Sequence, residues 1–261
     1  MRIPPGMAND LRSSIVATPP ADPTDAELVD GRFMLRPASC TDLPAMSRAH
    51  IELLPIGLFP SFGARFVRRW QRTLLRSTHG VGIVAVDTTT PPGEFVGFVL
   101  GVSDQNAHIA ELTKKRGVLA SLALAGCVAL IVRPRVAVRA VRSRVRPWAR
   151  RLLRLGAATA TSGRSASVAA PNVAVMTALA VRPRWRRSGI GVMLVRRFVE
   201  QARTAGAIRV EAQTSTGSVG ATGFYERLGW TAGAQRSTPD GESVRTYHHH
   251  LAGPMESPDP T

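Results

Sequence analysis

Two arginines, a serine and two glycines stand together in the run Arg186-Arg187-Ser188-Gly189-Ile190-Gly191. Guanidinium groups make charge-assisted hydrogen bonds to phosphate oxygens, and glycines let the backbone come close to a ligand. An apolar strand pattern over 173–181 precedes the run. A helical pattern follows it, with Leu194, Val195, Phe198, Val199 and Ala202 on one face and Gly206 as a stop. The unpaired N–H groups and the dipole of a starting helix favour anions, so mechanism alone makes 186–191 a pyrophosphate cradle. Gly189-Ile190-Gly191 with Glu211 about twenty residues later also suits a dinucleotide fold. Three features exclude that fold. Leu194 stands where its third glycine belongs, the glycines come seven or more residues after the strand, and no further parallel strand–helix–strand unit follows.

A second constellation lies about thirty residues downstream. It reads Ser218-Val219-Gly220-Ala221-Thr222-Gly223-Phe224-Tyr225-Glu226-Arg227-Leu228-Gly229-Trp230. Together the two runs resemble the GNAT superfamily of N-acetyltransferases. The family's first motif is Arg or Gln, two residues, Gly, one residue, then Gly or Ala, after a Val-x-Pro step. Val181-Arg182-Pro183 and Arg186 to Gly191 match it at every position. Its second motif is Asn-x-x-Ala-x-x-Phe-Tyr-Glu-x-Leu-Gly-Phe, in which Ser218 here replaces the customary Asn. The resemblance covers most of 33–251 apart from an insertion. It implies an α/β fold, a mixed sheet of six or seven strands splayed at the fourth and fifth, with helices on both faces and acetyl-CoA lying in the splay. Residue by residue, it implies that the backbone amides of Arg186, Arg187, Ser188, Gly189, Ile190 and Gly191 hold the pyrophosphate, with Ser218 as a further cofactor contact. The pantetheine arm would run along Leu179, Ala180 and Val181, and Tyr225 would be the general acid.

The implied chemistry is direct attack of a neutral primary amine on an acyl thioester, which needs two substrates oriented and protons managed but no covalent enzyme nucleophile. A tyrosine hydroxyl can protonate the leaving thiolate, and a backbone N–H on the splayed strand can polarise the thioester carbonyl. A phenol packed beside Phe224 in a helix is the plainer reading of Tyr225, and the motif favours the acid. The general base is open among Glu52, Asp104 and Glu211, with a water chain as the alternative. Consecutive strand side chains point to opposite faces, so His248-His249-His250 cannot converge on one ion, and no metal is expected. A GNAT-shaped module that binds acyl-CoA, or anchors a complex at a membrane, without turnover is the competing function.

Other elements must position these residues. The patterns predict a strand over 33–35, a helix begun by Thr41-Asp42 and carrying Leu43, Met46 and Ile51, and a helix over 62–75. That second helix has Phe62, Phe66, Trp70 and Leu74 at four-residue steps, the ordinary spacing of a core-facing stripe. Strands over 81–86 and 94–102 flank a Thr- and Pro-rich turn. After the insertion come a strand over 173–181, the helix after Gly191, a strand over 208–214, a helix over 221–228 and a strand over 244–251. Residues 1–31, interrupted by five prolines, read as a disordered leader, 32–252 as the acetyltransferase domain and 253–261 as a disordered tail.

The insertion, about 105–170, holds most of the excess charge. The chain has 34 Lys plus Arg against 18 Asp plus Glu, a net +16, which points to anionic partners without choosing among them. Residues 112–199 carry nineteen of those cations and no acid. An apolar run, 117–132, is sixteen residues long, short of the roughly twenty that span a bilayer. The stretch 133–154 follows with nine arginines interleaved with Val, Ala, Trp148, Leu152 and Leu153. Such helices seek an anionic membrane surface, with 112–160 as the contact, or bind an anionic or lipid-linked acceptor. The alternative is a helical pair packed on the core or building a homodimer contact. One aromatic and no recognition fold argue against nucleic acid. With only Cys40 and Cys127, no disulfide framework or zinc knuckle is expected, and the natural setting is cytoplasmic, at most peripheral to the inner face of the membrane.

Overall fold

The structure, a computed structural model, describes residues 27–29, 31–55, 58–89, 91, 93–132, 171–217, 220–238 and 241–251. Its strands are β1 (Glu27–Val29), β2 (Phe33–Pro37), β3 (Gly80–Asp87), β4 (Glu94–Val102), β5 (Val173–Val181), β6 (Arg209–Ser215), β7 (Thr231–Ser237) and β8 (Ser243–His250). Its helices are α1 (Leu43–Leu53), α2 (Leu58–Ser61), α3 (Ala64–Leu75), α4 (Gln105–Lys114), α5 (Arg116–Val132), α6 (Ile190–Thr204) and α7 (Thr222–Arg227). One sheet of eight strands runs in the order β1-β2-β3-β4-β5-β6-β8-β7. All neighbours are antiparallel except β5 and β6. A single parallel pair in a mixed sheet is no doubly wound dinucleotide fold.

The sheet exceeds the predicted six or seven strands at its two edges. β7 reads Thr-Ala-Gly-Ala-Gln-Arg-Ser and is exposed along most of its length, so it lacks the apolar alternation that marks a half-buried strand. β1 lies inside the segment expected as a leader and pairs with β2 over three residues. Both owe their place to backbone pairing with a neighbour, which side-chain patterning does not report.

β3 and β4 are buried on both faces, and alternate residues enter two cores. Ile83, Ala85 and Val99 join Leu194, Val195 and Phe198 of α6 on one side. Val84, Phe98 and Leu100 join Met46 and Ala49 of α1 and Leu74 of α3 on the other. The sheet is thus sandwiched between two cores.

The splay falls where the resemblance placed it, between the fourth and fifth strands of the predicted order, here β5 and β6. They pair only from Val173↔Arg209 to Met176↔Ala212. β5 continues to Val181 bonded to β4 alone, while β6 continues to Ser215 bonded to β8 alone. Within β5 the register against β4 slips, so that Leu100 faces Ala178 and Gly101 faces Met176. Thr177 is the extra residue of this bulge, and its hydroxyl is tied back to the Leu100 carbonyl at 2.9 Å.

The insertion begins as α4 and α5, and 133–170 lies outside the described residues. α4 is capped by Asp104, whose carboxylate accepts from the Ala107 amide at 2.9 Å. α5 packs across α3, with Arg69 Nε donating to Ser121 Oγ at 3.3 Å and Gly126 set against the Phe66 ring. No helix among the described residues is long and apolar enough to cross a membrane.

Candidate active site

Strand β5 delivers the chain to the cradle through a 3-10 turn, Pro183–Trp185. Three contacts seat this turn. The Arg182 amide donates to the Val96 carbonyl at 2.9 Å, Arg184 pairs with Glu94, and the Trp185 ring meets Phe33 edge-on at 5.3 Å. Arg32 lies over Trp185 at 4.5 Å and pairs with Asp87 at 3.0 Å, which fastens the turn to β2 and β3. Trp185 was not singled out by its spacing, because an isolated tryptophan in a basic loop carries no pattern.

Arg187 and Gly189 then adopt left-handed backbone conformations, φ 65° and 83°, and Gly189 starts α6. A glycine takes that conformation freely, whereas an arginine is held there by its surroundings. The amides of Val192 and Met193 both donate to the Gly189 carbonyl, at 2.9 and 3.1 Å. Ile190 and Gly191, the first two helical residues, therefore keep amides with no partner inside the helix. Arg186, Arg187, Ser188 and Gly189 are exposed around them. Arg186 is steadied by its Nε bond to the Val181 carbonyl at 3.3 Å, and Ser188 by its hydroxyl bond to the Trp185 carbonyl at 2.6 Å. Two amides without a helical partner, two solvent-facing guanidinium groups and a helix N-terminus suit a polyanion such as a pyrophosphate.

The two sequence motifs meet here. A Cβ placed on Gly191 would lie 3.5 Å from the Phe224 ring and 3.8 Å from Val181, so the cradle abuts both α7 and the end of β5. Along β5, Leu179 lines the splay, Ala180 turns its side chain into the core under α1, and Val181 packs toward α6. The backbone edge of these three residues is open on the β6 side. Ser218 lies outside the described residues.

The splay opens into a cavity of about 290 Å³. Its floor is Met176 to Leu179 of β5 with Gln213 to Ser215 of β6, and Ala221 and Tyr225 close one end. Tyr225 is 4% exposed and stacks on Tyr247 at 5.3 Å and against Trp230 at 5.1 Å. Its hydroxyl reaches the Met176 sulfur at 3.9 Å. Burial pushes the phenol well above its ordinary range, so it keeps its proton throughout neutral pH.

His50, Leu53, Leu54 and Pro55 of the α1 end, with Thr238 and Val244, also line this cavity. His50 is 6% exposed, lies edge-on to Trp70 at 5.7 Å and is stacked with Phe98 at 6.4 Å. Burial lowers its pKa to about 4, and its Nδ1 has no partner among the described residues. Sequence reasoning passed over it, because one histidine on an amphipathic helix looks like any other core residue.

None of the three carboxylates considered as a base lines this cavity. Asp104 is the α4 cap, Glu211 pairs with Arg209 at 2.7 Å and faces His248 at 3.5 Å, and Glu52 is exposed on α1. His248 faces Glu211 while His249 stacks on Trp230 at 5.5 Å, on the opposite face of β8. Among the described residues no three His, Cys, Asp or Glu side chains gather as ligands to a metal would.

The family model described as Acetyltransferase (GNAT) family matches residues 48–230. No curated protein matches the sequence. Among solved structures, NAA60 of Arabidopsis thaliana in complex with acetyl-CoA is 14% identical, with 85% of this chain and 99% of that one covered at a TM-score of 0.50. The ribosomal-protein-S18-alanine N-acetyltransferase from Escherichia coli is 13% identical, with 86% and 97% covered and a TM-score of 0.47. Ard1 from Thermoplasma volcanium is 16% identical, with 84% and 97% covered and a TM-score of 0.44. At such identities the likeness bears on the fold alone.

Proposed function

The chain belongs to the GNAT acetyltransferase family, and from that premise we propose that it moves an acetyl or other short acyl group from CoA to a primary amine by direct attack. The observation that carries the reading is the alignment of three features along β5. These are the anion cradle at 186–191, the backbone edge from Thr177 to Val181 that β6 leaves unpaired, and a buried, protonated Tyr225 lining the same cavity. The cradle suits the pyrophosphate, with Ser218 as a further cofactor contact, and the open edge at Leu179, Ala180 and Val181 suits an amide-bearing pantetheine arm, which can pair with it like an added strand.

The amine nitrogen forms a bond to the thioester carbon while the carbonyl π bond opens, and an amide N–H at the Thr177 bulge steadies the oxygen that gains charge. Collapse breaks the C–S bond. The thiolate receives a hydrogen bond, and finally the proton, from the Tyr225 hydroxyl, which is refilled by a proton lost from the new ammonium through solvent.

Calorimetry with acetyl-CoA tests the site. The wild type is expected to bind with a micromolar Kd, and Gly191→Trp to lose binding because its side chain would meet Phe224 and fill the cradle. The double variant Arg186→Glu with Arg187→Glu changes only exposed positions and should weaken binding at least tenfold without altering the fold. Wild-type protein that binds neither acetyl-CoA nor longer acyl-CoAs overturns the enzymatic reading and leaves the family's fold without its usual donor.

A second reading concerns where the enzyme works. Arg65, Arg69, Arg72 and Arg76 are exposed at steps of four, three and four along α3, which puts them on one face. α5 lies beside that face with Leu124 66% exposed, and the arginine-rich run 133–154 follows it in sequence. Cations flanking an apolar helix are what an anionic bilayer attracts, so we assign 112–160 and α3 to a peripheral contact with the inner face of the membrane.

A further inference from the structure

Arg187 is the one residue other than glycine with a positive φ among the described residues, at 65°. The left-handed region sets the Cβ against the following carbonyl, so such a residue stays there only where its surroundings hold it. Gly189 takes the same conformation at no such cost, φ 83°, and Ser188 stands between the two. The strain therefore lies inside the anion cradle itself.

The restraint on Arg187 can be followed back residue by residue. Ser188 beside it is tied by its hydroxyl to the Trp185 carbonyl at 2.6 Å, and the Trp185 amide donates to the Arg182 carbonyl at 2.9 Å. The loop is thereby one unit with the indole. The indole is in turn fixed from outside the loop: its ring meets Phe33 edge-on at 5.3 Å, and the guanidinium groups of Arg32 and Arg184 lie over it at 4.5 and 4.7 Å. Both cations are held. Arg32 donates to Asp87 through Nε at 3.3 Å and a terminal nitrogen at 3.0 Å, and Arg184 pairs with Glu94. Asp87 also accepts from the Thr89 amide and hydroxyl, at 3.0 and 2.7 Å. Guanidinium stacking uses the π face of the ring, and the indole N–H has no partner among the described residues.

Resting on the acetyltransferase reading above, we propose that Trp185 is a positioning residue for the CoA donor: held by Arg32, Arg184 and Phe33, it keeps Arg187 left-handed through Ser188 and so shapes the cradle before the donor arrives. A site shaped in advance binds more tightly, because the ligand does not have to order it. Without the indole, Arg187 relaxes out of the left-handed region and the cradle must be rebuilt each time the donor binds. Glycine takes the left-handed conformation freely, so a glycine at position 187 makes the anchor dispensable.

The test measures acetyl-CoA binding by calorimetry on the full-length protein, with the thermal midpoint of each variant beside it. Trp185→Leu keeps apolar bulk against the core but offers no π face, and should raise the Kd at least tenfold. Trp185→Phe restores a face and gives up no hydrogen bond, and should return the Kd to within threefold of wild type. The decisive comparison repeats Trp185→Leu in Arg187→Gly protein, where it should cost less than threefold. Ser188→Ala cuts the tie at an exposed position, so it leaves the core intact, and should weaken binding at least threefold in the wild type and hardly at all in Arg187→Gly. If Trp185→Leu does not fold, that pair of measurements decides alone. Wild-type protein that binds acetyl-CoA, with an equal loss from Trp185→Leu or Ser188→Ala in both backgrounds or no loss in either, overturns the positioning role while the acetyltransferase reading stands. Trp185→Phe as weak as Trp185→Leu overturns stacking as the hold on the loop. Failure of the wild type to bind any acyl-CoA overturns the reading on which the proposal rests, and the proposal with it.

Discussion

Tyr225 and His50 line one cavity, and burial moves each of them toward its neutral form. For Tyr225 that means a phenol which donates but does not ionise. Tyr225→Phe should lower kcat by about a hundredfold, the ordinary loss for a general acid, and leave the acetyl-CoA Kd unchanged. Its stability should stay within about 1 kcal/mol of wild type, since the hydroxyl gives up only a weak bond to the Met176 sulfur at 3.9 Å. In the wild type, kcat measured from pH 8 to 10 should show no falling limb from this group, because its raised pKa keeps the proton in place there. For His50 the sign runs the other way. Its folded pKa of about 4 lies below the unfolded value of 6.5, so the unfolded chain binds the proton first as pH falls. Stability from this residue is whole above pH 6.5 and drains away down to about pH 4, by up to ~3 kcal/mol. Urea unfolding of the wild type and His50→Gln at pH 7 and pH 4.5 should show a smaller acid loss in the variant. Equal losses would mean that the imidazole is solvated in the folded protein.

The elements matter through the places where they stop pairing. β5 gives up β6 after Met176 yet remains bonded to β4, and the bulge at Thr177 lies at that parting. Gly101 of β4 sits opposite it. A Cβ there would lie 2.3 Å from the Val175 carbonyl oxygen and 2.7 Å from the Phe198 ring, one rigid backbone and one fully buried side chain. Gly101→Ala should therefore cost roughly 2 to 3 kcal/mol in urea unfolding, and acetyl-CoA affinity should fall with it because the splay shifts. A variant as stable as wild type would show that β4 and β5 can slide apart. Much of this frame was legible beforehand. The apolar runs of β3 to β5, the amphipathic face of α6 and the glycines of the cradle are local signals, and the family resemblance supplied the splay. The edge strands were not legible, since β7 is polar and exposed and β1 has three residues. The base stays open for a different reason. Asp104, Glu211 and Glu52 are attractive as residue types, but only three-dimensional partners show that the first caps a helix, the second pairs with Arg209 and the third faces solvent. His50 needed the converse information, a cavity made by segments some 130 residues apart in the chain, His50 to Met176 and beyond.

On the scale of the whole molecule the charge is unevenly spread. A chain of net +16 concentrates nineteen cations and no acid between 112 and 199 of its sequence, and α3 separately carries a stripe of exposed arginines. Part of that positive charge surrounds the cradle, where it would draw in a polyanionic donor. The stripe on α3 belongs to a helix that does not reach the cradle, so donor binding does not account for it. Each basic side chain near an anionic bilayer contributes about 1 kcal/mol, and the attraction fades within a Debye length of about 10 Å at 0.1 M salt. The protein should float with vesicles containing phosphatidylserine at 0.1 M salt, stay down with phosphatidylcholine alone, and release from the acidic vesicles at 0.5 M salt. Reversing Arg65, Arg72 and Arg76 to Glu spares Arg69, which is bonded to α5, and should cut the bound fraction at least tenfold while acetyl-CoA binding persists. Equal flotation on acidic and neutral vesicles, or none on either, would sink the membrane reading. α5 would then be a second layer over α3, its exposed Leu124 awaiting a protein neighbour, and the arginine stripe an ordinary solvated face.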